Sequence, residues 1–272
     1  MSGKQIIVLV AVFSVMGALS AMNIHKAGKP AENGHATKPV APVAASEDDI
    51  LKRAKSKLSP DQVQVITGLE AKASETRGAA GMDKLAQKWD EFKNPGISGW
   101  YYYKAAAAAP GVKTWLKAGD KLRVALVNQQ DSASTTAFFD KAIGAYQQVL
   151  KTDSTNLDAK TGMGVCYVSG SSNPMQGITL LLGVVAKDSL NVNANFNLGL
   201  FSMRSGQYDK AIGRFQKVVK ITPDGESYFY LAQAFQNLNR KPEAVGAYKN
   251  ARKYIKDAET VSSIDHLIQQ LN

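Results

Sequence analysis

The chain has 272 residues, 44% of them hydrophobic, with a formal net charge of +10 and a single cysteine. That length and apolar content suit a folded protein and exclude a chain disordered throughout. The lone Cys166 excludes an internal disulfide, and its apolar neighbourhood marks it as a small core residue rather than a reactive thiol. His25, His35 and His266 have no partners at metal-ligand spacing, and no phosphate-cradling glycine loop is present. The carboxylates are scattered over helix faces. No catalytic, cofactor-binding or metal-binding residue is therefore assigned, and a non-enzymatic role is expected.

At the amino terminus, Lys4 precedes the apolar run IIVLVAVFSVMGALSAM from Ile6 to Met22. Its 17 residues reach the lower limit for a bilayer-spanning helix, about 17 to 20 residues. Residues 1–22 are thus expected to be a signal-anchor or a signal peptide, the small residues around Ala18, Ser20 and Ala21 offering a cleavage site. The length of the run favours an uncleaved single-pass anchor in a bacterial inner membrane with the folded part on the periplasmic side. The alternatives are release to the periplasm after cleavage, or a cytoplasmic-facing chain, which Lys26, Lys29 and Lys38 favour by charge count. Residues 23–45, rich in Ala, Pro, Lys and Gly without apolar periodicity, are expected to be a disordered linker.

Residues 46–78 read as a helical preface. Ser46 caps EDDILKRAKSKL, whose acids come first and bases last, and Ser59-Pro60-Asp61-Gln62 is a capping box that starts a second helix at Pro60. Beyond it, a small residue recurs at Ala86, Gly119, Gly164, Gly199 and Ala232, with three intervals of roughly 34 residues and one that is longer. Each opens the same apolar pattern. In the clearest copy, Leu198-Gly199 is followed by Ala211, Phe215, Val218 and Pro223; in the next, Leu231-Ala232 is followed by Phe235, Ala244, Tyr248 and Ala251. Upstream, Met163-Gly164 leads through Tyr167 to Gly177, Leu181 and Val184; Trp115, Ala118, Gly119 and Leu122 lead to Ala142, Tyr146 and Val149; and Leu85-Ala86 leads through Trp89 to Tyr102, Ala105 and Pro110. Paired helices approach closely only where a small side chain faces a large one, so the spacing predicts an all-α solenoid of antiparallel helix pairs.

The pattern W-x2-L-G-x2-Y, A-x3-F, P carried by these residues resembles the tetratricopeptide repeat (TPR) family. The resemblance spans residues 79–258 in five degenerate copies, 79–111, 112–156, 157–191, 192–224 and 225–258, with a capping helix over 259–272. It implies a right-handed superhelix whose first helices line a concave, partner-binding groove. The copy at 112–156 departs from the pattern: Gly119 and Ala142 stand about twice as far apart as the repeat signature would put them. The extra stretch NQQDSASTTAFF is expected to lengthen both helices and their turn. It is either a tolerated insertion or a partner-binding protrusion.

Mapped by the resemblance, the groove positions include Asp120 and Arg123 in the second copy, Asn193, Phe196, Leu200, Met203 and Arg204 in the fourth, and Phe229, Gln233 and Gln236 in the fifth, with Asn197 beside them. Across all five copies these positions hold six acids (Asp83, Asp90, Glu91, Asp120, Asp158, Glu226) and three bases (Lys113, Arg123, Arg204), which predicts a mildly acidic groove. Phe196, Leu200, Met203 and Phe229 are expected either to form an apolar strip for an extended or helical peptide or to pack between repeats. The positive excess falls on second helices, as in Lys210, Arg214, Lys217 and Lys220, and in the linker. It is read as a solvated face, or else one facing anionic lipid or nucleic acid. The expected function is a membrane-tethered adaptor that holds a protein or peptide in its groove. The alternative is a basic nucleic-acid-binding repeat protein.

Overall fold

A computed structural model describes residues 46–76, 78–128, 132–170 and 173–272. The expected membrane segment and linker, residues 1–45, lie outside the described residues. Among the described residues there are thirteen α-helices and no strand, and no helix is long and apolar enough to cross a membrane.

In chain order these are α1 (Glu47–Lys55), α2 (Pro60–Thr76), α3 (Ala79–Glu91), α4 (Pro95–Ala108), α5 (Val112–Asn128), α6 (Ser132–Thr152) and α7 (Leu157–Gly170), followed by α8 (Pro174–Lys187), α9 (Val192–Arg204), α10 (Tyr208–Ile221), α11 (Gly225–Asn237), α12 (Lys241–Tyr254) and α13 (Ala258–Leu271). Their starts follow from side-chain caps. Ser46 Oγ accepts the Asp49 N–H at 3.2 Å, and Ser59 and Gln62 exchange the two bonds of a capping box at 3.0 and 3.3 Å. Asn156, Asn191, Asp224 and Asp257 cap α7, α9, α11 and α13 in one manner, each carboxyl or amide oxygen accepting the N–H three residues on at 2.8–2.9 Å. The turn between α9 and α10 needs a left-handed residue, supplied by Gly206 at φ +71°.

From α3 onward the helices pair within each copy, α3 with α4 through α11 with α12, and α13 closes the stack against α12. The helices are joined by short turns, which makes the partners antiparallel. Three successive pairs are locked by one large side chain of the second helix set under a glycine of the first. A Cβ on Gly119 would lie 2.8 Å from the Tyr146 ring, one on Gly199 2.8 Å from the Phe215 ring, and one on Gly164 3.0 Å from Leu181. Tyr146 also reaches the following repeat, where a Cβ on Gly162 would sit 2.2 Å from its ring. Tyr146 and Phe215 are both fully buried.

Two features shape the amino-terminal half. Within the preface Lys55 pairs with Glu70 at 2.6 Å, and the preface is bound to α4 by the Tyr101 hydroxyl, which donates to Glu70 at 3.0 Å, and by Lys104, which pairs with Glu47. The extra residues of the second copy are helical, giving α5 17 and α6 21 residues where the other paired helices have 13 or 14. The added start of α6 carries two aromatics that grip the neighbours on either side. Phe138 packs edge-on to Trp100 of α4 and over Gly96, while Phe139 packs edge-on to Tyr167 and against Gly170 of α7. The insertion is thus a clamp between consecutive repeats.

The glycines separate into two kinds, and substitution should move stability in opposite directions. Gly162→Ala forces the Tyr146 ring to shift and is expected to cost about 1–3 kcal/mol. Gly246→Ala, on an exposed turn of α12 with nothing within 4 Å of the new Cβ, should add about 0.5–1 kcal/mol by helix propensity. Urea unfolding midpoints of the two variants check both signs.

Candidate partner-binding groove

The first helices of the later repeats touch one another directly, α5 with α7, α7 with α9, and α9 with α11, whereas the second helices α8 and α10 stand further apart. This places one continuous inner face on α5, α7, α9 and α11. At the amino-terminal junction the closest same-rank contact is instead between the second helices α4 and α6. There α3 is joined to α5 by side chains, Lys117 to Asp83 at 3.2 Å and Lys121 to Asp90 at 2.6 Å.

The predicted site residues fall into two groups. On α9, Asn193 and Arg204 are exposed, while Phe196, Asn197, Leu200 and Met203 are half-buried, as are Gln233 and Gln236 on α11. Contact between α9 and α11 brings these together. Phe196 stands edge-on to Phe215 at 5.8 Å and to Tyr230 at 5.9 Å, above a Phe215–Tyr230 stack, so one ring edge packs on the core while the rest remains accessible. Leu200 and Met203 likewise rest on the carboxyl-terminal core. Gln236 accepts the Tyr248 hydroxyl at 2.8 Å, and the Asn197 amide is turned back onto the Asn193 carbonyl at 2.8 Å.

Phe229 corrects the expected strip. It is 4% exposed and packs edge-on to Tyr230 and Tyr248 at 6.0 and 5.7 Å, because α11 turns that position into the seam with α12. Asp120 and Arg123 form the second group, on α5. Asp120 accepts the Tyr146 hydroxyl at 2.9 Å and lies 3.7 Å from the Arg123 guanidinium, whose Nε is buried without a partner. Beside them Cys166 is fully buried and burial pushes its thiol up to about 12, so it stays protonated and unreactive.

The groove is less acidic than its positions imply. Asp83, Asp90 and Glu91 are matched by Lys117, Lys121 and Lys88, which lie outside the mapped positions. Burial, aided by Asp224, pushes the Glu226 carboxyl up to about 8, so it is largely neutral at pH 7. What remains is a nearly neutral face with an apolar patch of Phe196, Leu200 and Met203 flanked by amides and Arg204. Sequence spacing did not single out Tyr230, the ring that supports Phe196 from the next repeat.

The arrangement defines a helical-repeat scaffold with an inner groove, and among the described residues no group of His, Cys, Asp or Glu is placed to hold a metal ion. Residues 169–226 and 203–258 match the model of the tetratricopeptide repeat family. The fold is similar to that of a thermophilic TPR protein of Thermus thermophilus, with a TM-score of 0.52 at 12% identity, over 71% of this chain and 98% of that one. Weaker likenesses are to MamA (TM-score 0.45, 23% identity, 62% of this chain and 92% of that one) and to YrrB (TM-score 0.43, 15% identity, 73% and 97%), the latter described as a TPR protein with an unusual peptide-binding site. No curated protein matches the chain by sequence.

Two measurements separate groove from core. Phe229→Ala should cost about 3–5 kcal/mol of stability, whereas Met203→Ala, half-buried, should cost less than half as much, read from denaturant unfolding. The folded chain holds a proton on Glu226 that an unfolded chain, with the carboxyl at its ordinary 4.5, releases. Stability contributed at this position is therefore present below pH 4.5 and lost as pH rises toward about 8. Glu226→Gln should leave the unfolding midpoint at pH 4 unchanged and raise it at pH 9.

Proposed function

We propose that the protein is a non-enzymatic scaffold, tethered to a membrane by its amino-terminal segment, that holds a protein or peptide segment on the inner face of α9 and α11. The observation that carries this reading is the half-buried patch of Phe196, Leu200 and Met203, apolar side chains left partly in water on the face where first helices line up. Such a patch is suited to aliphatic or aromatic anchors of an extended or helical segment, with Gln233, Gln236 and Arg204 available for its backbone and polar groups. The family match supports a protein-binding role, since TPR repeats serve as interaction scaffolds. The apolar run at 6–22 and the proline-containing linker support a tether, and a role in envelope assembly or secretion on the periplasmic side of a bacterial inner membrane accords with them.

The test is a partner-binding comparison in the native membrane, with protease accessibility fixing the side. Leu200→Ser with Met203→Glu should weaken binding of the copurifying partner at least tenfold, about 1.4 kcal/mol. The fold, read by circular dichroism, should be retained. Unchanged partner recovery would remove the groove from the account.

A further inference from the structure

The outer face carries a second recognition surface. A cleft of about 350 Å³ lies between the two second helices α8 and α10, over α9. Ile178 and Leu182 of α8 form one wall and Leu198 and Phe201 of α9 lie at its floor. Lys210, Arg214 and Lys217 of α10 form the other wall.

The two walls differ sharply in chemistry. From Pro174 to Ala186, α8 carries no ionised side chain, and Met175 and Leu182, on one stripe with Ile178, are 60% and 46% exposed. The three cations of α10 lie at i, i+4 and i+7, a stripe about 10 Å long at the helical rise of 1.5 Å per residue. No carboxylate lines the cleft among the described residues. The Arg214 guanidinium is held by the buried Asn195, whose Oδ1 accepts from it at 2.9 Å, which restricts its orientation.

We propose that this cleft docks an acidic amphipathic segment of another protein, with apolar side chains entering between α8 and α10 and carboxylates ranged along Lys210, Arg214 and Lys217. Charge complementarity selects that occupant. The chain's own residues 1–45 carry four lysines and one glutamate, so they are repelled from the rim. A bilayer surface meets the exposed Met175 and Leu182 but does not reach a floor formed by α9 below two helices, whereas a row of side chains does. The surface is on the opposite side of the repeats from the inner groove and is independent of it.

Selection of a random 15-residue peptide library on the full chain, followed by anisotropy titration of the enriched peptides, tests the proposal. The expected peptides combine two or more acids with aliphatic or aromatic residues a helical turn apart. Their affinity should fall at least tenfold on Lys210→Glu with Lys217→Glu, and on Leu182→Ser, all exposed positions whose change leaves the fold intact by circular dichroism. It should be unaffected by Met203→Glu in the inner groove. Peptides in which lysine replaces the acids should prefer the charge-reversed variant. Failure to enrich acidic peptides, or equal binding by the reversed variant, overturns the proposal. So does co-sedimentation with phosphatidylglycerol vesicles, or binding to single-stranded RNA, that needs Lys210 and Lys217 while no acidic peptide is selected.

Discussion

The structure depends on one contact repeated along the chain: in three successive pairs a large side chain of the second helix is buried under a glycine of its first helix. Tyr146 under Gly119, Leu181 under Gly164 and Phe215 under Gly199 set how closely the paired helices approach. Tyr146 goes further, because Gly162 in the next repeat accepts its other edge, so one ring fixes both the pair and the step to the following pair. The solenoid grows by such steps, each repeat covering the apolar face its predecessor leaves open. The inner face exists because the first helices of the later repeats fall into line.

The repeat register was legible because that contact restricts residue choice at both ends, and a restricted pair at fixed spacing survives degeneration of the positions between. The caps were equally periodic and less obvious. Asn156, Asn191, Asp224 and Asp257 follow one another at the repeat spacing and open successive first helices and the final cap, but Asn and Asp are common in loops. They are told apart as caps only when their oxygens are seen to accept a backbone N–H. The lengthened second copy was recognisable as an anomaly, yet its purpose was not, since nothing in FF at 138–139 distinguishes a protruding loop from a pair of rings set into Trp100 and Tyr167.

The site was legible by position and less so by environment. A register assigns a residue to a face, whereas burial depends on how adjacent helices rotate. Phe196 and Phe229 occupy the same place in successive repeats, yet Phe196 is half-buried over Tyr230 and Phe229 is enclosed between Tyr230 and Tyr248. Charge is also misjudged when only face positions are summed. The lysines that neutralise Asp83 and Asp90 come from α5, in the next repeat along the chain, and long lysine side chains reach across the boundary that a position list draws. The result is a chain with an overall charge of +10 whose inner face is close to neutral.

The central claim is that partner recognition resides on the inner face of α9 and α11. Site-specific photocrosslinking tests it most directly, with a benzophenone side chain placed in separate chains at Leu200, at Gln233 and at Lys249 on the second helix α12. The account predicts one discrete crosslinked partner from Leu200 and Gln233 and none of that species from Lys249. The same partner captured from Lys249 alone would contradict it.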